Sequence, residues 1–112
     1  MKKISYDGIG AVVATFNCAE DVKLGEVVKV SEGSTVASCE AGDGFAGVVF
    51  DCEEPVASVQ VKGFVTVATT ETIALGYQTL GADGKGGVKV VESGNSYLVV
   101  DNSVSGSLTV CL

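Results

Sequence analysis

Histidine, tryptophan and arginine are absent from the chain, and proline and methionine occur once each. Without histidine no Ser-His or Cys-His nucleophilic pair can be assembled, and a hydrolytic metal centre loses its commonest ligand. Without arginine there is no bidentate clamp for a phosphate or carboxylate. Seven lysines face fourteen carboxylates, a formal charge of −7, the reverse of the basic footprint that nucleic acid demands. No nucleic-acid partner is expected. No run approaches the 18 or so apolar residues of a transmembrane helix, so no membrane partner is expected either. The opening MKKISYDGIGAVVATF sets two lysines before an apolar run, but Asp7 interrupts it and IGAVVATF is at the short limit of a signal core. The expectation is a soluble protein made in the cytoplasm.

What is present is valine, threonine and glycine. The chain has 21 Val and 8 Thr against 10 Ala and 6 Leu, a bias toward the β-branched side chains that suit a pleated surface. Fifteen glycines supply the turns that proline does not. Short apolar or alternating runs predict strands over 10–16, 26–31, 35–39, 45–50, 57–68, 77–80, 87–91, 96–100 and 107–112. Between them lie SEGS, EAGDG, DCEEP, GADGKGG, ESGN and DNSVSG. In SVQVKGFVTVA, Val59, Val61, Val65 and Val67 share one face with Gly63, where a missing side chain permits a bend or bulge. No segment has the period of a long amphipathic helix. A chain of 112 residues fits one all-β domain, a small barrel or sandwich with little or no helix.

The chemical motifs are sparse. Gly42, Gly44 and Gly47 in GDGFAG fit the G-x-G-x-x-G spacing of a dinucleotide turn, but VVFD follows, a strand where the fingerprint needs a helix N-terminus. Cys18, Cys39, Cys52 and Cys111 are far apart with no C-x-x-C, and read as small buried residues in a reduced compartment, although four cysteines allow three complete disulfide pairings. The Glu20-Asp21 and Glu53-Glu54 pairs read as solvated loops, and Asp43 and Asp83 as Asp-Gly turns lacking the spaced oxygens of a calcium loop. Lys85, at the tip of ADGKGG, has the place of a carrier lysine but two glycines behind it. No catalytic residue, metal or cofactor is expected.

The most informative pattern is an internal repeat. LGEVVKVSEG (24–33) aligns with LGYQTLGADG (75–84) at an offset of 51, and EAGDGFAGVV with ESGNSYLVVD at 52, pairing Phe45 with Tyr97. ASVQV and LTVCL then correspond at 51. The reading is an arm and first strand over 1–21, then a β domain over 22–112 in which 24–61 and 75–112 are two similar halves, each needing the other to cover its apolar face.

Three of these segments carry a resemblance. Gly25-Glu26-Val27-Val28, the central Val61-Lys62-Gly63-Phe64-Val65 and the terminal Leu108-Thr109-Val110 are similar to strands of the small capsid decoration, or cement, proteins of tailed bacteriophages. The resemblance covers about residues 22–112, while Gly76-Tyr77 replaces the second Gly-acid pair of the family. It implies a non-enzymatic protein on the outer surface of the head shell, made in the host cytoplasm, usually trimeric, with the major capsid protein as partner. Ile4, Tyr6 and Ile9 are the expected apolar anchors to capsid or neighbouring subunit. The alternatives are a β-sandwich binding module for carbohydrate or fibres, or a lipoyl- or biotinyl-like carrier modified at Lys85.

Overall fold

The computed structural model describes residues 9–18 and 22–112. Ten strands follow one another: β1 (Val12–Cys18), β2 (Val27–Glu32), β3 (Thr35–Ser38), β4 (Gly47–Glu53), β5 (Val56–Lys62), β6 (Phe64–Ala68), β7 (Gly76–Ala82), β8 (Val88–Val90), β9 (Ser96–Asp101) and β10 (Ser107–Cys111). No helix occurs among the described residues, so the all-β expectation holds. The predicted strand 57–68 is cut at Gly63, which takes φ +101°. A Cβ there would stand 2.9 Å from the Ala11 Cα, so the residue that joins β5 to β6 has both the conformation and the clearance of glycine.

The strands form a closed barrel in the order β1-β3-β2-β4-β5 and a five-stranded sheet in the order β6-β10-β9-β7-β8. Adding five to each strand number of the first gives the neighbours of the second. The register repeats as well. Ala14↔Val59 and Phe16↔Ala57 between β1 and β5 recur 51 residues later as Val65↔Val110 and Val67↔Leu108 between β6 and β10. Val28↔Ser38 and Val30↔Val36 recur 52 residues later as Leu80↔Val90 and Ala82↔Val88. The repeating unit therefore takes in β1 and β6 beyond the residues whose similarity is visible in sequence. In the first unit β1 and β3 close the barrel in parallel through Asn17↔Thr35 and Cys18↔Val36. In the second the corresponding strands meet at one parallel bridge, Thr69↔Val88, and the Glu71 carboxylate accepts the Val90 N–H at 2.9 Å.

Each unit has its own apolar core. Val22, Val28, Val36, Val49, Ala57 and Val59 fill the first, and Val65, Val67, Ile73, Leu80, Val88, Val99, Leu108 and Val110 fill the second. Val27, Phe45 and Val48 come from the first unit but pack into the second core. Strands β2 and β4 thus feed both cores with successive residues, Val27 with Val28 and Val48 with Val49, because adjacent strand residues face opposite ways.

Candidate functional site

The junction of the two units is built from GDGFAG. The Gly42 N–H donates to the Ala82 carbonyl and the Ala82 N–H to that of Asp43, both at 2.8 Å. The Asp43 carboxylate accepts the Glu40 N–H at 2.9 Å and the Lys29 ammonium at 2.7 Å. The Lys29 ammonium, with the backbone N–H of Glu40, holds the Asp43 carboxyl below its ordinary pKa, and the hydrogen bond to Asp43 raises that of Lys29. Asp43 is therefore the tie of its own turn. No group of three or more metal-ligating side chains exists among the described residues.

Glycines of the second unit let its backbone approach this loop. A Cβ on Gly81 would lie 3.2 Å from the Asp43 carbonyl oxygen, one on Gly84 3.1 Å from the Ala41 nitrogen, and one on Gly86 2.7 Å from Glu26 Oε2. The Val27 N–H donates to the Gly86 carbonyl at 3.0 Å. The loop bearing Lys85 is thus laid against the first unit, and is tied by Asp83 Oδ1, which accepts from the Lys85 and Gly87 N–H groups at 2.7 and 3.0 Å.

Phe45 and Tyr97 stack at 4.9 Å with their planes 15° apart. In sequence they align as equivalents, but the ladders place them otherwise. Val49 pairs with Val59, and Val99 with Val110, the counterpart of Val59. Through β10, Val99 therefore matches Val49 and Tyr97 matches Gly47; through β7, Thr79↔Ser96 is the counterpart of Val27↔Val48 and sets Tyr97 at Val49, so neither ladder sets it at Phe45. The two rings are partners across the junction, not echoes of one position. A groove of about 460 Å³ runs beside them, lined also by Val61, Lys62, Asn95 and Leu112. Phe45 is buried and Tyr97 half-buried, so their faces serve each other.

Of the anchors expected from sequence, Ile4 and Tyr6 lie outside the described residues. Ile9 is 54 % exposed, three residues ahead of β1. The four cysteines are free thiols and half-buried, not fully buried. Cys18 and Cys52 border the first core and Cys39 the second. Burial pushes the Cys39 thiol up to about 11, and raises that of Cys18, where Cys52 adds to the effect.

Sequence reasoning missed an apolar face. Tyr77↔Leu98, Leu98↔Cys111 and Cys111↔Phe64 form one row of cross-strand neighbours over β7, β9, β10 and β6. Directly paired residues share a face, and this is the face opposite Val99, Val110 and Val65. From Phe64 the surface continues into a groove of about 390 Å³ that includes Leu24, Phe50 and Thr66. Phe50 points outward because it is unpaired: Val49 faces Val59 and Asp51 faces Ser58. Such a bulge re-aims a side chain. Val100 is skipped in the same way between Val99↔Val110 and Asp101↔Thr109.

No protein-family model matches the chain, and no curated protein matches it closely. Among the described residues no helix is long and apolar enough to cross a membrane.

Proposed function

We propose that the chain is a non-enzymatic capsid decoration protein of a tailed bacteriophage, made in the host cytoplasm, that binds the major capsid protein on the outer face of the head shell as a trimer and stabilises it. The observation that supports this reading most is the place in the fold of the three segments that carry the resemblance. Gly25-Glu26-Val27-Val28 enters β2, Val61–Val65 spans the β5 to β6 junction, and Leu108-Thr109-Val110 lies in β10, the strand that pairs with β6. These are the positions where the two units are joined and where the second sheet is assembled. A double unit whose two cores share side chains, preceded by a segment that carries Ile4, Tyr6 and Ile9, suits a cap that adds mass and contacts to a shell without chemistry.

Co-sedimentation with expanded and unexpanded head shells from one source tests the reading. Saturable binding to expanded shells is the expected result, and no binding to either shell overturns it. Removal of residues 1–9, with Ile4, Tyr6 and Ile9, is expected to abolish binding, and unchanged binding would dismiss the arm as the anchor.

A further inference from the structure

We infer that the row Tyr77, Leu98 and Cys111, with Phe50 and Leu24 beyond Phe64, is the surface on which a second copy of this chain docks. The inference deepens the oligomeric part of the reading above by naming its contact. Three observations carry it. First, the surface is apolar and open where a lone chain gains nothing from it: Tyr77 is 74 %, Leu24 64 % and Phe50 63 % exposed. Fully covering an aromatic side chain removes roughly 150–250 Å² from water, so Tyr77 and Phe50 alone offer on the order of 250 Å² of the ~800 Å² per partner in a stable interface. The threonines beside them, Thr66 and Thr109, whose hydroxyls hydrogen-bond at 3.2 Å, fit the polar rim that completes such a patch.

Second, no side chain in the row or in the lining of the adjoining groove is charged. The whole chain carries −7, and two such bodies repel unless they meet where neither bears charge. Over such a stripe an acidic chain meets a copy of itself with little charge repulsion, and Asp101, paired with Thr109, marks its charged border. Third, the stripe runs unbroken from the second unit to the first, since Phe64 closes the row and also lines the groove with Leu24 and Phe50. Its two ends differ, so the end at Tyr77 of one copy can meet the Leu24–Phe50 end of the next, a head-to-tail contact that gives a ring where the rotation between copies closes.

The test is the mass of the purified full chain by light scattering over a dilution series, with no shells present. Wild type is expected to weigh a multiple of one chain and to fall toward one chain on dilution. Tyr77→Lys and Phe50→Lys are each expected to weaken assembly about tenfold or more, while Val104→Lys and Val30→Lys, exposed elsewhere, leave it unchanged. Circular dichroism establishes that each variant is folded. Mass-mapped alkylation of wild type adds a readout that needs no variant: Cys111 is expected to be protected at high concentration and to react on dilution. A wild-type chain that stays monomeric, variants that assemble like wild type, or Cys111 reacting equally at all concentrations would overturn the inference. Shell binding is measured apart, so a monomer that still coats shells would sink this contact and the trimer while leaving the shell-binding part of that reading intact.

Discussion

At Gly47 a side chain has nowhere to go. Its Cβ would run into the Gln60 carbonyl oxygen and lie 2.8 Å from Val59 Cγ1, and both atoms belong to the paired strand, which cannot move without opening the barrel. Gly47→Ala is therefore expected to destabilise by about 2–4 kcal/mol, at the high end for one methyl group, as measured by urea unfolding. An unchanged midpoint would mean that the ladder yields. Asp43 offers a test of sign. Its folded pKa is lowered by Lys29 and the Glu40 N–H, so its contribution is present above the unfolded carboxylate value and is lost as pH falls through the lower folded one. Lys29 is raised, so its part is lost only as pH rises through its folded value. The stability gap between wild type and Asp43→Asn is expected to be flat from about pH 5 to 9, to shrink below about pH 4 and to shrink again above about pH 10.5. A gap that persists into acid would show that the charge on Asp43 is not what the Lys29 contact uses. Cys39, pushed up to about 11 by burial, would hold roughly one thiolate per thousand at pH 8. Iodoacetamide at that pH is expected to leave Cys39 unmodified while the protein is folded, and quick labelling would mean that burial is intermittent.

Strands are legible in sequence wherever valines alternate, because one side chain in two must enter a core: of Val59, Val61, Val65 and Val67 on one face, Val59, Val65 and Val67 are buried and Val61 is half-buried against the first core. The break at Gly63 was legible for the same reason, since a glycine on an apolar face must be there for clearance. The bulge at Phe50 was not, because an extra residue leaves the pattern of types unchanged and alters only which of them is paired. Without that bulge the outer patch around Phe50 has no sign in the sequence. The parity of Phe45 and Tyr97 misled, since sequence alignment slides loops freely while ladders do not. At this scale the edge of β8 is a measurable feature. It has one bridge to Thr69, and the Val90 N–H is held by Glu71. Glu71→Ala is expected to speed hydrogen exchange of the Val90 amide about tenfold and to leave that of Val110, deep in the sheet, unchanged. Equal exchange at Val90 would mean that the Glu71 carboxylate covers no edge.

Two units with one strand order need not unfold as one body, and the junction decides whether they do. Val27, Phe45 and Val48 leave the first unit to pack in the second core, and the Gly42–Ala82–Asp43 hydrogen bonds couple the loops. Opening the second unit alone would strip cover from these three buried side chains, each worth roughly 1.5–3 kcal/mol when buried. That cost falls on the first unit, which would stand with an apolar face in water. The halves are therefore expected to share one transition. Val59 and Val110 occupy matched positions in the two cores, and truncating either to alanine is expected to cost about 2–3 kcal/mol. If unfolding is shared, each variant lowers the same midpoint by a similar amount, and far-ultraviolet dichroism and tyrosine fluorescence trace coincident curves. Two of the three tyrosines, Tyr77 and Tyr97, lie in the second unit, so the fluorescence favours that half. A Val59→Ala variant whose dichroism falls before its tyrosine signal would show the first barrel opening alone, and the junction would then be a contact between two independent folds.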